Sequence, residues 1–481
     1  MSLLNKDELA ELVLRRITAS GAEYGDIRLL DSETQTIHGE DRRIASIRDQ
    51  QDRGFGIRVL YHGAWGFAAS SVLSLEEAPR VADLAIEIAK GSASLAIERV
   101  KLADEPVHRD RIVTAQRVDP FAVALEHKTA LLLETMESVH RQNGIVRSSA
   151  NLWARRDRKL FMSTEGSRLE FDLLAVNGDF DATAVHDGRF ASRSFNTPHL
   201  RMGYELIEDA SFLAEAPRIA SQAVEKVKAP TTGPGLYDLV LDPEHLSLTM
   251  HESCGHPSEL DRALGYEANY AGTSFLTAEK RGTFRYGSPH VNLVADNCEP
   301  ETLAATGYDD DGVTCQQWDI VRDGLFVGYC TSREVAPKIG ANRSRGSNRA
   351  DSWGSVPIVR IANIGLEPGA ATLDELLAGV KHGIYIEGHG SYSIDQRRYN
   401  FQFGGDAFWL IENGKRTHMV RDVIYHGITP EFWGSCDGVA DRSHRRRYGF
   451  ITCGKGQPGQ SGWMSHPASH ARFRNVHVIG G

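Results

Sequence analysis

The chain has 481 residues, of which 54 are Lys or Arg and 64 are Asp or Glu, so its net charge is −10 with histidine neutral. Its 41% hydrophobic and 25% charged residues are typical of globular proteins and exclude a collagen, a coiled coil or a mainly disordered chain. The negative charge argues against nucleic acid or an anionic membrane surface as the main partner. At roughly 100–200 residues per domain, this length predicts two to four domains.

The amino-terminal segment is unlike a signal peptide, because Lys6, Asp7, Glu8 and Glu11 interrupt its apolar positions. No stretch of the sequence approaches the ~18 apolar residues of a membrane helix. We therefore expect a cytoplasmic protein that does not associate with membranes. Its six cysteines form no C-x-x-C pair, and in a reducing cytosol they are expected to be buried thiols or metal ligands.

The first segment alternates helix and strand patterns, which predicts an N-terminal α+β domain over residues 1–112. The predicted elements are a helix over 7–19, a strand over 24–38, a hairpin over 53–71 that turns at His62 and Gly63, and a helix over 76–90. A polar stretch with two prolines follows and indicates a boundary.

The second segment, residues 113–232, is predicted to be a middle α+β segment. Its predicted elements are a helix over about 120–142, antiparallel strands with turns at 165–166 and 187–188, and a helix over about 203–227. The run KAPTTGPG (228–235) is dense in proline, glycine and threonine and is typical of a linker.

The third segment, residues 233–481, is predicted to be a mainly β C-terminal domain. It begins with a strand over 236–242, and Pro243 then stands where a helix would start. Beyond residue 290 the pattern is strand and turn, with helix-like segments near 333–339 and 372–381. The fold class predicted for the whole chain is α+β, with N-terminal α/β sandwich-like segments followed by a mainly β domain that carries the helix of the motif described next.

That motif is His251-Glu252-Ser253-Cys254-Gly255-His256, which resembles the zinc-binding pattern H-E-x-x-H with one residue more. In an α-helix, positions i and i+4 differ by about 40°, whereas i and i+5 differ by about 140°, so the two rings would face apart. A π-type bulge would bring His256 back beside His251. Gly255 can take unusual dihedral angles and Pro257 disfavours the α conformation at the preceding residue, so both favour such an irregularity.

The motif alone leaves other interpretations open. His251 and Glu252 are also compatible with ordinary helix residues, with His256 as a cap. Cys254 lies inside the motif and is a further candidate ligand. Six C-terminal histidines are candidates for orienting a ligand or stabilising an oxyanion. They are His382, His389, His418, His426, His466 and His470.

Several distant segments resemble one family, the TldD/PmbA metallopeptidases, and the resemblance extends over essentially the whole chain. The segments are RGFGIRVLYHGAWGFAA (53–69), HESCGHPSELDRALGYEANYAGTSF (251–275), YDDDGV (308–313), RDGLFVGYCTSREVA (322–336), GSNRADSW (346–353) and CGKGQPGQ (453–460). The combination of H-E-x-x-x-H with a late C-G-K is more specific than a general zinc-protease match.

The resemblance implies a Zn²⁺ site made by His251, His256 and Cys453, with Glu252 as the general base that activates the zinc-bound water. Three protein ligands leave a fourth position open, which is the catalytic pattern. The resemblance also implies a dimer. Because this chain keeps all four residues, it is similar to the zinc-bearing TldD-like subunit, whose partner is a second copy or a PmbA-like paralogue.

We therefore expect a zinc-dependent metallopeptidase that hydrolyses peptide bonds in short peptides or unfolded protein segments bound in extended form. The alternative is a non-catalytic peptide-binding or scaffold subunit of a hetero-oligomer, with a structural metal closed by a fourth protein ligand. Amidase or deacylase chemistry on a modified peptide would use the same residues, and iron or cobalt could replace zinc.

Overall fold

Residues 6–479, which the computed structural model describes, form two large β-sheets with helices packed around them. The helices are α1 (Lys6–Ala19), α2 (Glu77–Ala93), α3 (Leu125–His140), α4 (Glu205–Asp209), α5 (Phe212–Lys228), α6 (Pro243–Met250), α7 (Leu260–Ala263), α8 (Leu373–Ala378) and α9 (Thr429–Gly434). The strands before residue 234 are β1 (Tyr24–Glu40), β2 (Arg43–Tyr61), β3 (Ala64–Ser70), β4 (Arg109–Val113), β5 (Ile145–Ser163), β6 (Arg168–His186) and β7 (Arg189–Asn196).

The strands after residue 234 form four sheets, one with nine strands, one with four strands and two with two strands each. They are β8 (Gly235–Leu241), β9 (Leu293–Asp296), β10 (Gln317–Arg322), β11 (Leu325–Phe326), β12 (Asn348–Arg349), β13 (Ile358–Val359), β14 (Ile364–Leu366), β15 (His382–Glu387), β16 (Tyr392–Ile394), β17 (Asn400–Gly404), β18 (Ala407–Glu412), β19 (Lys415–Val420), β20 (Ile424–Ile428), β21 (Cys436–Val439), β22 (Gly449–Lys455), β23 (Gln460–Ser465) and β24 (Ala471–Val478).

The N-terminal sheet has the strand order β3-β2-β1-β5-β6-β4, and β7 also pairs with β6. Strand β1 pairs antiparallel with both β2 and β5, so successive side chains point to opposite faces. The helix-covered face carries Ile27, Leu29 and Ile37 of β1. Helices α1 and α2 cover one part of this face, and α3 and α5 cover the other part.

The opposite face of the N-terminal sheet contacts the C-terminal region through buried ion pairs. Arg58 of β2 binds Asp26 at 2.6 Å and Asp311 at 3.0 Å. Lys159 of β5 binds Asp310 at 2.5 Å. Because these charges are buried, they need partners at fixed positions, and they therefore set how the sheet lies against the C-terminal region.

Strands from the predicted segments 1–112 and 113–232 join in this one sheet, since β1 of the first segment pairs with β5 of the second. Strand β4 spans the predicted boundary at residue 112 and pairs parallel with β6. The division of the chain into three domains stays a prediction.

Most of the predicted local elements are present, including the hairpin that turns at His62 and Gly63, where both residues have positive φ. The single helix predicted over 203–227 is wrong, because Ser211 takes a left-handed conformation (φ 56°) and separates α4 from α5. Helix α9 (Thr429–Gly434) was not predicted. It starts with a proline in its first turn, but six residues are too few to show a helical repeat.

The C-terminal sheet has the order β16-β17-β20-β24-β8-β15-β18-β19, with β21 also on β24. Its inner strand β8 pairs parallel with β15 and antiparallel with β24, and α6 follows it directly. Asp242 caps α6 by accepting a hydrogen bond from the backbone N–H of His245 at 2.8 Å. The helix therefore starts at the centre of the sheet and runs into the largest hydrophobic core.

The predicted α+β class, with a mainly β C-terminal region, is confirmed by these elements. No helix within residues 6–479 combines the length and the apolar character that crossing a membrane requires.

Candidate metal centre

The H-E-x-x-x-H motif lies where α6 changes its helical repeat. The helix is regular to Met250, and residues 251–255 then form a π-helical turn in which the N–H of His256 donates to the carbonyl of His251. The wider turn accommodates the extra residue, so the two imidazole rings lie with their centroids 5.0 Å apart. The predicted π-type bulge is confirmed.

The two residues expected to favour the bulge act differently from the prediction. Gly255 has ordinary right-handed helical angles (φ −57°, ψ −67°), and His256 stays helical although Pro257 follows it. A Cβ atom on Gly255 would lie 2.9 Å from two side-chain atoms of Ile361. The glycine is therefore required by the close approach of a neighbouring side chain and not by its dihedral freedom.

Strand β22 brings Cys453 beside the two histidines, although Cys453 lies 197 residues after His256 in the chain. The ligand atoms of His251, His256 and Cys453 all lie within 4.8 Å of one another, and all three residues are buried. Sγ of Cys453 is 3.5 Å from Nε2 of His256. Ligand atoms at tetrahedral zinc distances are separated by about 3.5 Å, so the geometry fits a metal ion held by this set.

A chain of hydrogen bonds fixes the tautomer of His251. The backbone carbonyl of Ile364 can only accept, so Nδ1 of His466 donates to it at 2.9 Å, and the neutral ring keeps Nε2 as an acceptor. Nδ1 of His251 then donates to Nε2 of His466 at 2.9 Å. This leaves the lone pair on Nε2 of His251 for a metal. Of the six C-terminal histidines, His466 is the one that contacts a predicted ligand directly.

The second histidine has a carboxylate partner that the sequence analysis missed. Nδ1 of His256 donates to Glu259 at 2.9 Å, which leaves its Nε2 on the side of Cys453. The buried ammonium of Lys455 lies 3.5 Å from Glu259 and 2.6 Å from Asp261. The carboxylate that orients His256 is thus itself held by a buried cation.

The protonation states of the two histidines are compatible with metal binding. Burial lowers the pKa of His251 and His256 well below the usual value, so both rings are neutral and able to bind a metal. Burial raises the pKa of Cys453 to about 11, although Arg360 donates to its sulfur at 3.1 Å and opposes that rise. A metal ion would stabilise the thiolate and release its proton.

Glu252 is buried beside the cluster and forms an ion pair with Arg398 through Oε2. Burial raises the pKa of this carboxyl, and the Arg398 guanidinium opposes the rise. Oε1 of Glu252 has no hydrogen-bond partner in the described part of the chain, so it is free to accept a proton. The charge of Glu252 is also the main cause of the raised pKa of Tyr392.

The other candidate ligands lie apart from the cluster. Cys254 is buried and packs in the hydrophobic core, and burial raises the pKa of its thiol well above the usual value. His389 binds Ser247 and the carbonyl of Glu244, and His470 binds Tyr385. The remaining three, His382, His418 and His426, are exposed.

Replacing His466 with glutamine is expected to weaken metal binding about 10–100-fold, because the acceptor that fixes the His251 tautomer is displaced. Metal affinity measured by competition with a chelator would check this. The exposed His426→Gln variant is the matched control and should bind metal as the wild type does. Equal affinity in both variants would remove the orienting role of His466.

Two family models match parts of this chain. A family model described as the PmbA/TldA metallopeptidase C-terminal domain matches residues 234–480, and a model of domain 1 matches residues 25–89. The chain belongs to the TldD/PmbA family. The predicted resemblance is confirmed, and the family is one of metallopeptidases.

Curated relatives in this family are named as metalloproteases. A metalloprotease of Methanocaldococcus jannaschii is 29% identical over 441 residues, which cover 91% of this chain and 93% of the relative. A zinc metalloprotease TldD homolog of Saccharolobus solfataricus is 24% identical over 482 residues, which cover 97% of this chain and 99% of the relative.

Two solved structures share the fold of this chain. TldE from Thermococcus kodakarensis matches with a TM-score of 0.74 at 16% identity, covering 98% of this chain and 99% of that chain. A Thermotoga maritima protein, described as a proposed modulator of a DNA gyrase, matches with a TM-score of 0.79 at 17% identity, covering 98% and 100%. At these identities the likeness concerns the architecture alone.

Proposed function

We propose that this TldD/PmbA-family protein is a zinc-dependent peptidase that hydrolyses peptide bonds in short peptides or unfolded protein segments. The observation that carries the proposal is a cluster of three ligands, His251, His256 and Cys453, with the free carboxylate oxygen of Glu252 beside it. No fourth His, Cys or acidic side chain of residues 6–479 joins this cluster. A structural zinc site is usually closed by four protein ligands, so this set argues against a structural metal.

Each residue of the centre has a role in the proposed reaction. Zinc suits a set of two imidazoles and one thiolate, and when bound it polarises a carbonyl and lowers the pKa of water. Glu252 takes the proton of the attacking water on Oε1 and passes it to the leaving amine. Arg398 binds Oε2 of Glu252, opposes the effect of burial on the pKa of the carboxyl and fixes its direction.

The proposed substrate is an extended peptide, because an edge strand lies next to the proposed base. Strand β16 pairs with β17 on one side and is unpaired on the other within the described residues. The turn between β16 and β17 carries Arg398, which forms an ion pair with Glu252. A peptide that adds to this edge would bind through its main chain, with little dependence on sequence. A folded protein could not present such a strand.

We further propose that the protein works as a dimer in the cytoplasm, paired with a second copy or with a PmbA-like paralogue. The six cysteines form no disulfide in the described part of the chain, which is compatible with a reducing compartment. Light scattering of the purified chain, alone and mixed with a paralogue, would distinguish the two kinds of pairing.

The test of the proposed activity combines two measurements on the same purified samples. Metal content per chain is measured by elemental analysis, and an unstructured peptide is incubated with the protein and analysed by mass spectrometry. About one zinc per chain, with products that together gain one water, supports a peptidase. The same peptide sequence inside a stably folded domain should remain uncleaved.

The same experiment separates the alternatives. Metal and peptide binding without cleavage, even with a paralogue present, would favour the non-catalytic subunit. Cleavage restricted to an amide or acyl group on a modified peptide would favour the amidase reaction. A wild-type chain that binds no metal would contradict the proposal altogether.

A further inference from the structure

A cavity of about 610 Å³ lies between the N-terminal sheet and the β22–β23 hairpin. Its lining includes Arg28 and Lys159 from the sheet and Trp463 from the hairpin, but neither histidine of the metal centre. One side chain joins the cavity to the centre, because Arg360 lines the cavity and also donates to the sulfur of Cys453 at 3.1 Å. The cavity is therefore adjacent to the proposed catalytic site and separate from it.

The charges that line this cavity do not balance locally. Six basic and four acidic side chains line it, and each acidic group already has partners. These partners are Arg155 for Asp157 at 2.9 Å, Lys159 for Asp310 at 2.5 Å, the N–H of Val313 for Asp309 at 3.0 Å and the N–H of Ser461 for Asp351 at 3.0 Å. Three guanidinium groups, those of Arg201, Arg349 and Arg360, form no ion pair with any residue of 6–479.

Arg201 is the least satisfied of the three. Its side chain is buried, with 8% exposed, and its Nε donates to the carbonyl of Leu303 at 2.7 Å. Neither of its Nη atoms has a hydrogen-bond partner in the described part of the chain. An unpaired buried cation is costly, and burial lowers the pKa of this group to about 10. An anion in the cavity would remove that cost.

The other two guanidinium groups are fixed in place by neutral acceptors. Arg349 donates to the carbonyls of Trp463 and Ile361, and Arg360 donates to the carbonyls of Gln460 and Cys453. Each also keeps a buried Nε without a partner among residues 6–479. Arg360 also donates to the sulfur of Cys453, whereas Arg349 is held near the cavity without an ion pair among residues 6–479.

The cavity also has an aromatic wall. The rings of Trp153 and Trp463 meet edge to face at 5.3 Å, and the Arg201 guanidinium lies 5.9 Å from the Trp463 ring centroid. A ligand with an anionic end and an apolar body would match both the uncompensated arginines and these indole rings.

We propose that this cavity binds a ligand through an oxyanion, either a carboxylate or a phosphate, with Arg201 as its main donor. The carboxylate source would be the C-terminal end of a peptide, since Arg360 both lines the cavity and donates to Cys453; that source rests on the proposed peptidase function. A phosphate source does not depend on it.

Calorimetry on the metal-loaded full chain tests the site with three probes: inorganic phosphate, N-acetyl-leucine and N-acetyl-leucine amide. None of them contains a bond between two residues, so a peptidase would bind them without turnover. At least one of the two anions should bind, and Arg201→Gln should weaken that binding at least about tenfold. Arg201→Lys keeps the charge but loses the planar donor pair and should weaken it less. Arg218→Gln, an exposed arginine of α5, is the matched control and should change nothing.

The probes separate the two sources. If the acid binds at least about tenfold more tightly than its amide and Arg201→Gln abolishes the difference, the ligand is a peptide end. If phosphate binds and the acid and amide do not differ, the ligand is a phosphate.

No saturable binding of either anion up to about 10 mM, or equal affinity in wild type and Arg201→Gln, would overturn the site. If Arg201→Gln does not fold, Arg349→Gln takes its place with the same expectations. None of these binding measurements depends on cleavage. A negative result would therefore contradict the anion site without contradicting the proposed peptidase activity.

Discussion

Replacing Glu252 with glutamine is expected to lower kcat for an unstructured peptide by about 10²–10⁴-fold while the metal content stays unchanged. Glu252 lies outside the three-residue ligand cluster, so the metal ligands remain intact in the variant. Glutamine has the same size and keeps an oxygen for Arg398, but it cannot accept the proton of the attacking water. The loss should therefore fall on the chemical step and not on metal or peptide binding.

The measurement compares kcat, KM and metal per chain in wild type, Glu252→Gln and an exposed control, Glu279→Gln. Glu279 lies on the surface and binds Thr277, away from the cluster, so its variant should retain wild-type kinetics. A Glu252→Gln protein that keeps its metal and retains activity within about twofold would rule out the proton-transfer role. A variant that loses its metal would show instead that Glu252 helps to hold the site.

The local parts of this centre could be predicted from the sequence because their determinants are local. The spacing of His251 and His256 requires a distorted helix, and the structure has the π turn at that place. The carboxylate of Glu259 also had a local signal, since it lies three residues after His256 and so one helical turn away. Glu259 was missed because acidic residues three positions after another residue are common on helices that bind no metal.

The distant parts depend on strand order, which no short pattern contains. Cys453 was assigned through the family resemblance, and its position beside His256 depends on how the β22–β23 hairpin packs against α6. Arg398 follows β16 and meets Glu252 across 146 residues. His466 was one of six equivalent candidates until the fold set it against His251.

The same limit applies to the N-terminal sheet. Apart from the break between α4 and α5, the helices, the hairpin and the turns of the first two segments follow from periodicity and from turn residues. The pairing of β1 with β5 joins residues more than 100 positions apart, for example Asp26 with Ser163. Alternating patterns identify strands, but they do not say which strands are neighbours, so a single sheet shared by both segments could not be read from the sequence.

Replacing Cys453 with alanine is expected to reduce metal affinity at least about 100-fold and to abolish turnover, because one of three protein ligands is lost. The sulfur also accepts a hydrogen bond from Arg360, which in the variant keeps only the backbone carbonyl of residue 453 as its acceptor at that position. Elemental analysis after dialysis should find about one metal per wild-type chain and a small fraction of that in the variant.

Cys254→Ala is the matched control, since Cys254 is also a buried cysteine and lies within the motif but outside the cluster. It should keep both metal and activity, with at most a modest loss of stability from the small cavity. Unchanged metal content in Cys453→Ala would remove Cys453 from the ligand set. Metal loss in Cys254→Ala with retention in Cys453→Ala would assign the thiolate to the motif itself, and the β22–β23 hairpin would then have no direct part in holding the metal.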